Sequence, residues 1–86
     1  MKVDCSDKKV NIDKIYCAIT RFEVEHDGNK PSYIIINYET RADLADKNHI
    51  YYEIKSSLKN FTKTDTIFGI PVAFNEGLKF GEVDIV

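Results

Sequence analysis

The sequence predicts an α+β domain built on a single mixed β-sheet, and three observations carry that expectation. An amphipathic helical run sits early in the chain, an apolar β-branched run follows it, and residues 67–86 are rich in strand formers punctuated by Gly and Pro. At 86 residues there is room for one core and no second lobe, so the chain must act through one surface or one pocket. A hydrophobic content of 43% lies well clear of the apolar-poor signature of disorder, and folding is expected.

Residues 1–10 show no clear period and read as a lead-in, with a frayed strand around Val3, ahead of a single α+β domain over 11–86. Ile12, Ile15, Tyr16, Ile19 and Phe22 then recur at helical spacing, with Asp13, Lys14, Thr20, Arg21 and Glu23 on the other side. Asn11 is a good N-cap type, Asp13 puts a negative charge in the first turn, and Gly28 followed by Pro31 supplies the stop. The helix is placed at 11–26. After the turn cluster Asp27-Gly28-Asn29-Lys30-Pro31 comes Ser32-Tyr33-Ile34-Ile35-Ile36-Asn37, which lacks polar alternation. Such a run reads as a central strand buried on both faces, one under the first helix and the other under the segment that follows.

Asn37 can cap a second helix that begins near Tyr38 or Glu39 and continues to Asp46, with Leu44 and Ala45 facing in. Residues 47–65 are ambiguous. Ile50, Tyr51, Ile54, Leu58 and Phe61 fit a third helix, whereas Ile50, Tyr52 and Ile54 alternate as a strand would, and the polar stretch 59–66 suits a loop. Two helices on the sheet are therefore expected, with a third left open. In Ile67-Phe68-Gly69-Ile70-Pro71-Val72-Ala73-Phe74, Gly69 suggests a kink or a close backbone approach and Pro71 an edge or a bulge. Turns at Asn75-Glu76-Gly77 and at Gly81 precede Glu82-Val83-Asp84-Ile85-Val86, which alternates as a half-exposed strand.

Charge narrows the function classes. Twelve basic and fourteen acidic side chains give a net charge of -2, leaving no positive excess to neutralise phosphates, so neither nucleic acid nor a membrane surface is expected as a main partner. The longest apolar run, Tyr33-Ile34-Ile35-Ile36, falls far short of a membrane span, and residues 1–9 lack the apolar stretch of a signal peptide. Two cysteines of different context, Cys5 and Cys17, suit reduced thiols better than a disulfide framework. These features lead to the expectation of a soluble, intracellular protein.

Catalytic and metal signals are sparse. His26 and His49 stand far apart, and no HxxxH, CxxC or HExxH spacing occurs, so no metal is expected. His26 is read as a residue favourable to a helix C-terminus. Cys17 has no histidine near it in sequence, and Glu23 with Glu25, or Glu82 with Asp84, are spaced as solubilising charges rather than as an acid and base couple. The glycines form no phosphate-binding pattern, and neither catalytic nor cofactor-binding residues are assigned. Tyr38, Tyr51 and Tyr52, with Arg41 beside them, fall in otherwise polar segments. Tyrosine buries much area while keeping a polar tip, so the three tyrosines read either as a satellite core under residues 47–65 or, with Arg41, as the expected protein-contact surface.

The order of signals resembles the axial domain of the tailed-phage major capsid fold of the Hong Kong phage type. The resemblance uses the helix at 12–26, Pro31-Ser32-Tyr33-Ile34-Ile35-Ile36-Asn37, the helix at 40–46, Phe68-Gly69-Ile70-Pro71-Val72 and Leu78-Lys79-Phe80-Gly81-Glu82-Val83. It implies a free-standing domain of phage or prophage origin, without the extended arm, long β-hairpin and spine helix by which such subunits tile a shell. The leading expectation is thus a non-enzymatic protein-interaction domain, either virion-associated or directed at a host protein. Two alternatives stand beside it. One is a small enzyme or ligand-binding protein with a site assembled from His26, His49 and Cys17; the other is a structural homo-oligomer joined through an edge at 83–86.

Overall fold

The computed structural model describes residues 1–47, 50–55 and 64–86. Its first element is a strand, β1 (Lys2–Asp4), where a frayed strand was expected around Val3. Residues 1–10 are more than a lead-in, because Cys5 is fully buried and Val10 nearly so, both within the main core. Helix α1 (Ile12–Glu25) follows within two residues of its expected ends. The Asn11 side chain caps it by accepting from the N–H groups of Asp13 and Lys14 at 2.9 and 3.4 Å. At the other end the Gly28 N–H donates to the Glu23 carbonyl at 2.7 Å, closing the last turn before Pro31. Ile15, Ala18, Ile19 and Phe22 form its buried stripe.

Strand β2 (Ile34–Ile36) leads into α2 (Tyr38–Lys47), and Asn37 caps that helix as expected, its Oδ1 accepting from the Thr40 N–H at 2.8 Å. Then come β3 (Tyr52–Glu53), β4 (Thr66–Ile67), β5 (Ile70–Phe74) and β6 (Glu82–Ile85). The ambiguous segment thus contains a two-residue strand in which Tyr52 faces in, whereas Ile50 and Ile54, which the alternation reading set on the same inward face, are exposed. Among the described residues there are two helices; most of the stretch read as loop or third helix lies outside them.

The strands form one mixed sheet in the order β1-β6-β2-β5-β4-β3. Strands β2 and β5 run parallel, with Ile34 beside Val72 and Ile36 beside Phe74, and the other neighbours are antiparallel. Both helices cover the same face. The apolar stripe of α1 and Leu44 of α2 share one core with Ile34, Ile36, Ile67, Ile70, Val72, Val83 and Ile85. Hence β2 is central, but among the described residues it is covered on one face only: Ile35, half-buried, lies on the other face between Ala73 and Asp84. The period-2 geometry of the strand decides this, since a β-branched run looks alike whether its outer positions are covered or merely flanked.

Two further expectations change. Pro71 sits in β5, an interior strand rather than an edge or a bulge. The ladder to β4 tolerates it because the Val72 N–H bonds the Asp65 carbonyl at 2.8 Å, leaving Pro71 at the non-bonded pair with Thr66. Gly69 marks no kink in a strand. Phe68 and Gly69 are the two central residues of the β4–β5 hairpin, with φ of 51° and 80°, the left-handed pair that a type I′ turn needs.

Candidate protein-contact surface

The four residues expected at a contact surface are distributed between core and exterior. Tyr52 is 1% exposed and belongs to the core. Its hydroxyl donates to Oδ2 of the fully buried Asp65 at 2.5 Å, and Arg41 Nε donates to the same oxygen at 2.7 Å. The Lys55 N–H reaches Oδ1 at 3.0 Å. Burial and the adjacent carboxylate both push the Tyr52 hydroxyl's pKa up, and the same carboxylate raises that of Arg41. Tyr52, from the core, and Arg41, from a part-buried position, thus brace α2 to the β3–β4 pair through Asp65, and Tyr52 follows the satellite-core reading.

Tyr51 and Tyr38 do face outward, on separate aromatic groups. Tyr38, at the start of α2, stacks on Phe74 with ring centroids 4.6 Å apart. Tyr51 leans on Phe68 at 5.0 Å, and Tyr16 of α1 meets the same Phe68 ring edge-on at 5.5 Å. Tyr16 is 58% exposed, Tyr51 45% and the adjacent Ile50 76%. The turn holds Phe68 in the left-handed region, which a bulky side chain rarely adopts, and so projects its ring between the two tyrosines. A cleft lined by Tyr16, Ile19, Thr20, Glu23, Lys30 and Phe68 runs beside this group.

Sequence reasoning missed Tyr16 and Phe68 for different reasons. Tyr16 fits the helical period and so reads with the apolar stripe, although it lies at the stripe's border. Phe68 reads as a strand residue; the signal available was its place before Gly69 between two isoleucines, where a two-residue hairpin usually carries Asn or Asp.

The other chemistry candidates do not converge. His26 caps α1, its ring stacked on Phe22 at 3.9 Å and Nδ1 2.8 Å from the Phe22 carbonyl. Cys17 is exposed, nine residues back along α1 and so about 13 Å away along the axis. His49 lies outside the described residues. Among the described residues no group of three His, Cys, Asp or Glu side chains could hold a metal ion, and no helix is long and apolar enough to cross a membrane. Cys5 is buried, which pushes its thiol up to about 11 and makes it a poor nucleophile. Compared with protein-family models, curated proteins and solved structures, the chain matches none.

Proposed function

We propose that this chain is a non-enzymatic protein-interaction domain of phage or prophage origin, working as a virion-associated component or as a modulator of a host protein. The contact surface is the aromatic group of Tyr16, Tyr51 and Phe68 with Ile50 at its margin. One observation carries the reading: a bulky ring is kept in a strained backbone conformation at a hairpin tip and flanked by two exposed tyrosines, where a turn with Asn would cost less. Interface hot spots favour such aromatic clusters, and a net charge of -2 favours a protein over a polyphosphate partner. The phage origin rests on the sequence resemblance to the capsid axial domain.

The test is capture followed by titration. A protein retained by the immobilised chain from infected or uninfected host extract is purified and titrated against the wild type and against a Tyr16→Ala/Tyr51→Ala variant. The double variant is expected to bind about 30-fold more weakly or worse, the loss of roughly 2 kcal/mol typical of a hot spot. Tyr38→Ala, on the separate stack, leaves affinity unchanged. Equal affinity of wild type and double variant would remove this surface from consideration.

A further inference from the structure

Independently of the aromatic surface, we infer that β1 pairs with β1 of a second copy of this chain, joining two sheets across a two-fold axis. The edge expected at 83–86 is not an edge, because β6 lies between β1 and β2. The edge belongs to β1. The Ile85 N–H bonds the Met1 carbonyl at 2.8 Å and the Cys5 N–H bonds the Gly81 carbonyl at 2.8 Å, while Val3 stands opposite Val83. Bonded pairs alternate along an antiparallel ladder, so Val3 turns its backbone groups towards β6 and Lys2 and Asp4 turn theirs outward. Both outward residues are exposed, and among the described residues no strand lies beyond them.

This edge is complementary to itself. With the two-fold placed at Val3, Lys2 falls opposite the partner's Asp4 and Asp4 opposite the partner's Lys2, each a bonded pair with both backbone donors and acceptors matched. The same pairing sets an ammonium against a carboxylate twice. A strand edge that repels its own copies carries like charges at these positions; this one carries opposite charges. Asp4 Oδ1 already accepts from Ser6 N and Oγ at 3.0 and 2.6 Å, but Oδ2 has no hydrogen bond among the described residues, and Lys2 makes no ion pair among them.

The helix layer follows the same symmetry. A cleft between β1 and α1 brings Cys17 and Ala18 beside Val3, with Asp13 and Arg21 on its rim. Cys17 is the midpoint between Asp13 and Arg21, so an axis through Val3 sets two antiparallel α1 faces together, each Asp13 towards the partner's Arg21.

Charge exchange across the edge tests the pairing. Analytical ultracentrifugation of the wild type over a wide concentration series is expected to show the mass of two chains at the upper end, receding towards one chain as salt is added. Lys2→Glu and Asp4→Lys, each alone, oppose like charges and are expected to sediment as single chains with wild-type circular dichroism. Their equimolar mixture restores complementary pairs and is expected to recover the two-chain mass. A wild type that stays at one chain throughout overturns the inference, as does a dimer that survives either single substitution or a mixture that fails to recover it.

Discussion

At Gly81 a single missing methyl decides how the chain closes. Its carbonyl accepts from the Cys5 N–H and its N–H donates to Thr40 Oγ1 at 2.9 Å, so β1, α2 and the approach to β6 meet there. A Cβ at this position would lie 2.4 Å from Ser6 Cβ, and φ is +78°. Gly81→Ala is expected to lower unfolding free energy in urea by about 3 kcal/mol, from backbone strain and overpacking together. Gly69→Ala meets open space at φ +80° and should lose about 1–2 kcal/mol, the backbone share alone. Equal losses at the two sites would show that the Ser6 contact costs nothing. Neither role was legible beforehand. The sequence marks Gly81 as a turn and Gly69 as a kink, but the close approach of Ser6 to Gly81 depends on β1 pairing with β6, a contact across most of the chain. Tyr51 and Tyr52 make the same point: adjacent tyrosines are indistinguishable in composition, and only the strand register sends one to solvent and the other to Asp65.

Among the elements, α1 was readable almost to the residue because its apolar period, N-cap and stop signals agree. Strands β3 and β4 were not, since two residues cannot display a period and their partner-dependent burial leaves no local trace. Helix α2 falls between. Its cap was identified from Asn37, but its buried side rests on Thr40 and Leu44, with little apolar surface to mark a stripe. Capping must therefore carry more of its stability. Asn37 is 7% exposed, and besides capping it donates from Nδ2 to the Leu78 carbonyl at 3.1 Å. Asn37→Ala removes the cap and leaves that carbonyl buried without its donor, for an expected loss of about 2–3 kcal/mol. Asn11→Ala, at a partly exposed cap, should lose about 1 kcal/mol. Chemical denaturation of both variants measures the difference, and an Asn37→Ala loss no larger than that of Asn11→Ala would show that the Leu78 bond contributes nothing to the fold.

Across the whole molecule, the helices and the N-terminal segment are tied by carboxylates, and this sets the pH response. Asp43 of α2 accepts from Lys47 Nζ at 2.7 Å and from the Val10 N–H, just ahead of α1, at 3.0 Å. The Lys47 hydrogen bond, followed by that from Val10, holds its pKa below the usual carboxylate value. Asp7 is lowered by Lys14 and Asn11, and Asp4 by Ser6. A carboxyl whose folded pKa lies below its unfolded one binds fewer protons when folded. Its contribution is complete above about pH 4 and is lost as pH falls through the folded value. Lys14 and Lys47 carry the reverse sign: their raised pKa values stabilise fully below about pH 10 and fade only as pH climbs beyond it. Stability from urea unfolding is therefore expected to be level from neutrality to about pH 5 and to fall steeply below about pH 4. Asp43→Asn should lower the neutral plateau, because Lys47 loses its ion pair, and should flatten the acid limb, because one proton-linked carboxylate is gone. An acid limb of unchanged slope in that variant would mean that the link between α2 and Val10 does not govern the acid response.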